Sequence, residues 1–138
     1  MLASDLQLLA ETRQREARSL LHAGFPSGAF YLAGYSVEAA IKVCIAKATK
    51  LHEFPDQKRA TAAWRHELNE LLNAAGLGSQ FQEACRANPS LQLNWSVVKD
   101  WKVESRYATE ISEQMAQDMI AAIIDPRDGI LTWLKQHW

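Results

Sequence analysis

Apolar positions along this chain recur every three to four residues and show no sustained two-residue alternation, so the pattern is helical almost throughout. A first helix opens at Ser4, read with Gln7 as a capping box, and turns Leu6, Ala10, Ala17, Leu20 and Leu21 inward. Gly24-Phe25-Pro26-Ser27-Gly28 breaks it. A second helix then runs from about Ala29 to Thr49, repeating Phe30, Val37, Ile41, Cys44 and Ala48, and the short link makes the two an antiparallel pair. From Leu51 to Arg65 the pattern weakens. His52 to Asp56 form a break, with Asp56 as a cap for a short helix to Trp64. Further helices are predicted over His66–Ala75, stopped by Gly76, and over Ser79–Ala87, ended by Asn88-Pro89. Asn94 caps a turn through Trp101. A long helix covers Thr109–Asp125, and Asp125-Pro126 starts a terminal helix to His137. The expectation is one all-α domain over residues 1–138, a helical bundle with additional short helices.

Composition changes this picture little. At 138 residues, 48% hydrophobic and 22% charged, the chain has ordinary globular composition and enough length for a real core. A net charge of −1 supplies no global basic field for nucleic acid, which confines any such contact to a local patch. Cys44 and Cys85 lack CxxC spacing and read as free, buried thiols in a reducing compartment. The N-terminus carries no cleavable apolar segment. The most apolar stretch, Ala29 to Ala48, is interrupted by Glu38, Lys42 and Lys47, so no membrane span is expected and the localisation read is cytoplasmic.

Four short motifs carry a family likeness. Tyr31-Leu32-Ala33-Gly34-Tyr35-Ser36-Val37-Glu38-Ala39-Ala40-Ile41-Lys42 is a small-residue helix with a Glu and, four residues on, a Lys. Before it comes LLHAGFPSGAFYLAGY, and after it His66-Glu67-Leu68 and Glu104-Ser105-Arg106-Tyr107. In this order they resemble HEPN domains, over essentially the whole chain. The resemblance implies an up-and-down helical bundle, commonly paired as a homodimer, with no cofactor. It also implies, for active members, metal-independent RNase chemistry by an Arg and a later His with four to six residues between them. The pairing makes physical sense. A guanidinium steadies phosphate as charge builds in the transition state, and an imidazole takes and returns the proton of the attacking 2′-hydroxyl.

The family position for that pair falls at Arg106, and the residues after it, YATEISEQMAQ, contain no His. Two other spacings fit formally: Arg59 with His66, and Arg15 with His22. Four histidines and eight arginines meet such a spacing about 0.7 times by chance. Arg15, Arg18 and His22 read as a solvated basic stripe. Arg59 and His66 straddle a helix break and are the catalytic candidates, although His66 also suits a structural role at a helix start.

Glu38 lies among small and aromatic residues suited to close packing, so its charge needs a partner. Lys42 is one, four residues along the helix. Arg106 is the stronger choice, because a guanidinium grips a carboxylate in two places. Arg13 falls on the apolar stripe of the first helix and also wants an anion. The expectation is a polar cluster of Arg13, Tyr35, Glu38, Lys42, Arg106 and Tyr107, acting as an inter-helix strut or a binding site.

No metal-ligand spacing, dinucleotide fingerprint or Ser-His-Asp context is recognisable. Five tryptophans are many for this length. Most belong in a core, while Trp133 and Trp138 on a terminal helix, with the small residues of the second helix, point to a homodimer surface. The leading reading is a non-catalytic HEPN-like module that dimerises and binds RNA, a nucleotide or a protein. Partners of the nucleotidyltransferase or antitoxin kind fit that reading. The alternative is a metal-independent endoribonuclease, the toxin of a toxin–antitoxin pair, and the third a dimerisation domain with no ligand.

Overall fold

The computed structural model describes residues 2–49 and 57–138, with the side chains of Lys58 and Arg59 outside the description. Among the described residues the fold is all-α, with no strand. Helix α1 (Ala3–His22) and helix α2 (Pro26–Ala48) form the antiparallel pair the pattern predicts. The short helices α3 (Gln57–Ala62), α4 (Leu68–Ala74), α5 (Gly78–Ala87) and α6 (Pro89–Val98) follow. A 3₁₀ helix (Val103–Tyr107), then α7 (Glu113–Ile124) and α8 (Ile130–Lys135), complete the order.

Helix α2 is the axis. Twelve of its residues are buried, and α1, α4, α7, α8 and the 3₁₀ helix all pack on it. By length and mean hydropathy (1.4) it is apolar enough to cross a membrane, yet 67% of that apolar window is covered by the other helices, as in a core helix. Its small residues let neighbours come close. Ala33 and Ala40, seven apart, are buried, as are Ala10 and Ala17 on α1. The seam expected to receive a second copy is therefore filled within the chain. Trp133 is likewise buried, edge-on to Phe81 at 4.8 Å, while Trp95 meets the same ring at 4.9 Å, so three aromatics bind α5, α6 and α8 together.

Several boundaries differ from the pattern's forecast, each for a local reason. The first helix is capped two residues earlier than Ser4. Leu2 is the N-cap and its N–H donates to Asp5 Oδ2 at 2.9 Å, so Asp5 rather than Gln7 closes the turn. Pro26 is the first residue of α2, not part of the break, because that position needs no N–H. Gly76 does stop α4, with φ of +75°. Asn88 ends α5 and also caps α6, its Oδ1 accepting from Ser90 N and Leu91 N. Asn94, expected to be a cap, sits inside α6 and donates to the Asp128 carbonyl at 2.8 Å. Ser112 caps α7, three residues later than Thr109. Asp125 caps a turn rather than a helix. Its Oδ1 accepts from Arg127 N and Asp128 N, which hold its carboxyl below the usual range, and α8 begins only after Gly129. His52 and Asp56 lie outside the described residues.

One close approach fixes the register of the segment before the 3₁₀ helix. Trp101, almost fully buried, lays its indole over Gly34 and stacks on Tyr31 with ring centroids 6.0 Å apart. A Cβ on Gly34 would stand 2.2 Å from Trp101 Cδ1 and Nε1. The expected outcome of Gly34→Ala is a loss of about 1–3 kcal/mol, even though alanine favours the helix by up to about 1 kcal/mol. Urea unfolding of the two proteins measures it, and unchanged stability would mean that Trp101 does not sit on α2.

Candidate functional site

The residues that gather chemistry lie on one stripe of α2. Tyr31, Gly34, Tyr35, Glu38 and Lys42 follow helical spacing, and successive turns stand about 5.4 Å apart. Glu38 is 2% exposed, the one buried charged residue among those described. Two side chains reach its carboxylate among the described residues. Lys42 Nζ lies 4.0 Å from its Oε1, and His66 Nδ1 makes a direct bond to the same oxygen.

The His66 contact explains where α4 begins. The pattern predicts a helix from His66, but α4 starts at Leu68 and its N-cap, Glu67, has extended backbone. His66 is thus outside the helix, free to point its ring at α2. An ionised carboxylate only accepts, so His66 Nδ1–H is the donor and Glu38 Oε1 the acceptor. The ring's other nitrogen, Nε2, is not used by Glu38, and the His66 side chain is 49% exposed. A buried carboxylate therefore orients a half-exposed imidazole, the arrangement that fixes a tautomer for proton transfer or hydrogen bonding.

Cationic and aromatic groups surround this pair. Arg13 of α1 is bonded to Glu16 at 2.8 Å, not to Glu38, but it lies near enough to Tyr35 to act on it. Burial first, then the Glu38 carboxylate and the neighbouring Tyr31, push the Tyr35 hydroxyl up, while Arg13 opposes them. Lys102 and Arg65 face Glu67. Desolvation and the Glu70 carboxyl hold Glu67 above its usual range against their pull. Arg65 is itself tethered to Glu70 at 3.1 Å.

Arg106 departs from expectation. It is exposed, makes no ion pair with Glu38, and lies 4.9 Å over the ring of its neighbour Tyr107, which is also exposed. The strut foreseen between Glu38 and Arg106 is instead the bond between Glu38 and His66. The physical reason is reach: Trp101 occupies the surface of α2 at Gly34, and the 3₁₀ helix that follows carries Arg106 outward to solvent. The structure therefore brings together Tyr35, Glu38, Lys42 and His66, with Arg13 at the edge, and leaves Arg106 and Tyr107 on the rim. Arg59 lies on α3, and its side chain is outside the described residues, so its pairing with His66 is not part of this geometry. Arg15, Arg18 and His22 are exposed on α1, as a solvated stripe should be.

Sequence reasoning singled out Glu38 and His66 separately and did not join them. The available signal was a buried-type carboxylate without a strong local partner and a histidine without a role. Trp101 stacked on Tyr31 was missed as part of the same surface. The thiols are not part of it: burial pushes Cys44 up to about 11 and also raises Cys85. Among the described residues no group of three His, Cys, Asp or Glu is placed to hold a metal. No family model, curated protein or solved structure matches the chain.

His66→Ala leaves the buried Glu38 carboxylate with Lys42 alone, and the expected loss is about 1–3 kcal/mol in urea unfolding. Arg106→Ala, removing an exposed side chain, should stay within about 0.5 kcal/mol of the wild type. The reverse order would restore Arg106 as the strut.

Proposed function

We propose that the chain is a HEPN-like helical module that binds RNA or a nucleotide through a surface centred on His66. The observation that carries this reading is the bond from His66 to the buried Glu38. A carboxylate in the middle of a core helix is a poor way to gain stability, since an apolar residue of similar volume is often neutral or better there. What the carboxylate does supply is a fixed imidazole at the surface. Lys42, 4.0 Å from the carboxylate that holds His66, is a cation available to a phosphate beside the ring, whereas Arg65 is already tethered to Glu70. Homodimerisation belongs to this reading through the resemblance alone, because the small-residue seam and Trp133 are taken up by the core.

The same bond favours a second reading, a metal-independent endoribonuclease with His66 as base. In that reaction Nε2 accepts the proton of a ribose 2′-hydroxyl, O2′ attacks the adjacent phosphorus, and the 5′-oxygen leaves and takes up a proton. Glu38 would act as a positioning residue by holding Nδ1. The absence of a His after Arg106 weighs for the binding reading.

The deciding experiment incubates purified protein with mixed-sequence RNA in EDTA and measures both retention of the RNA and its cleavage. RNA bound intact by the wild type, with affinity lowered at least about tenfold in His66→Ala, is the expected result. Cleavage that disappears in His66→Ala and falls in Glu38→Gln would establish the nuclease instead. Neither binding nor cleavage of RNA or mononucleotides at high protein concentration would overturn both readings.

A further inference from the structure

The groove between α1 and α2 gathers charged groups that the surface around His66 does not use. An open cleft of about 550 Å³ lies there, a size within the range of small-molecule sites. It is lined by Thr12, Arg15, Glu16, Ser19 and Leu20 of α1 and by Leu32 of α2, and by none of Glu38, Lys42 or His66. We infer that this cleft binds a free α-amino acid with a large apolar side chain. Arg15 takes its carboxylate, Glu16 its ammonium, and Leu20 with Leu32 its side chain.

Each lining group has capacity left for such a ligand. Arg15 is exposed and has no ion partner among the described residues. The acidic residues near it on α1 are both engaged. Glu11, one turn back, pairs with Lys135 of α8, and both oxygens of Glu16 accept from Arg13 Nη1 at 2.8 Å. That engagement does not close Glu16. Its side chain is 43% exposed, and each carboxylate oxygen can accept more than one hydrogen bond. Arg13 instead holds the carboxylate in one orientation, so little freedom is lost when an ammonium docks on it. The hydroxyls of Thr12 and Ser19 make no hydrogen bond among the described residues. They lie seven residues apart on one face of α1, with Arg15 and Glu16 between them. The floor is apolar. Leu20 and Leu32 are half-buried against the core, and Leu20 reaches toward Gly28 of α2, where a Cβ would stand 3.3 Å from its Cδ1.

This combination selects the ligand. A simple anion on Arg15 would face the Glu16 carboxylate, and a simple cation on Glu16 would face Arg15. Arg15 and Glu16 are adjacent in the chain, so they leave the helix about 100° apart at nearly the same height. A molecule with both charges on one carbon answers both over that short span. The guanidinium grips the carboxylate in two places, and the hydroxyls of Thr12 and Ser19 supply further donors to it. An apolar side chain then removes Leu20 and Leu32 from water, which a small or charged one would leave wet.

The test is isothermal titration calorimetry of the full chain at about pH 6.5, where an α-amino group is protonated. The probes are L-leucine, leucinamide, N-acetylleucine and glycine; the last three lack in turn the carboxylate, the ammonium and the apolar side chain. L-leucine should bind saturably, and each of the other three at least about tenfold more weakly. Arg15→Ala should erase the preference for leucine over leucinamide. Glu16→Gln should erase the preference over N-acetylleucine. Each does so by lowering the affinity for leucine about tenfold. Both side chains are at least partly exposed, so both variants should keep the wild-type circular dichroism spectrum. No saturable binding of leucine by the wild type would overturn the assignment. So would wild-type binding of any of the three analogues as tight as that of leucine. Preferences that survive in both variants would overturn it as well, by placing the ligand elsewhere on the molecule.

Discussion

The burial of one carboxylate organises much of this molecule. Helix α2 lies at the centre because α1, α4, α7, α8 and the 3₁₀ helix all need an apolar or small surface to pack on, and it supplies one. Glu38 interrupts that surface at its middle. A charge so placed must find a counter-charge and a hydrogen bond or else the helix cannot be covered there. Lys42 gives part of the counter-charge from the same helix, but at 4.0 Å it is not a full partner. His66 gives the bond. To do so it must lie outside any helix, so α4 is shortened by two residues at its start and the preceding segment is drawn against α2. The requirement of one side chain thus sets the position of an entire connection.

A second close contact on the same stripe sets the other border of the site. Gly34 has no side chain, and Trp101 takes the space. The indole is buried there with its Nε1 lacking a partner among the described residues, which marks this contact as packing that outweighs a lost hydrogen bond. With Trp101 anchored, the chain after it emerges to solvent, and Arg106 and Tyr107 follow on the rim. The two anchors are one turn apart on α2. They bring into one neighbourhood a segment centred on residue 66 and one centred on residue 105, which are distant in sequence and share no helix.

How much of this was legible beforehand follows from the range of each interaction. The helices of the hairpin were legible because α1 and α2 are long and their apolar residues repeat at a period local to each helix. The stop at Gly76 was legible because a left-handed residue after a helix is a one-residue signal. Asp125-Pro126 misled for the same kind of reason: an Asp followed by Pro is a good local cap for either a helix or a turn, and only the packing of α8, with Thr132 Oγ1 donating to the Asp125 carbonyl, selects the turn. Glu38 could be identified as needing a partner, since its neighbours dictate burial. Which partner it would find was not local. Arg106 is chemically the better grip for a carboxylate, and the sequence preference for it was reasonable; what decides against it is Trp101, whose seat on Gly34 turns the following chain away.

The pairing also bears on what kind of site this is. A brace built for stability alone needs no ionisable pair, because apolar residues of similar volume are often neutral or better at such a place. Here one member is buried and the other half exposed. The buried member is thereby obliged to hold the exposed one, and the exposed one is held in a single orientation at low conformational cost when something binds it. A ring fixed in this way, with its second nitrogen uncommitted to Glu38, is the feature on which the proposed binding reading rests. The stability of α2 and the presentation of His66 are then two consequences of the same bond, and substitutions at Glu38 act on both at once.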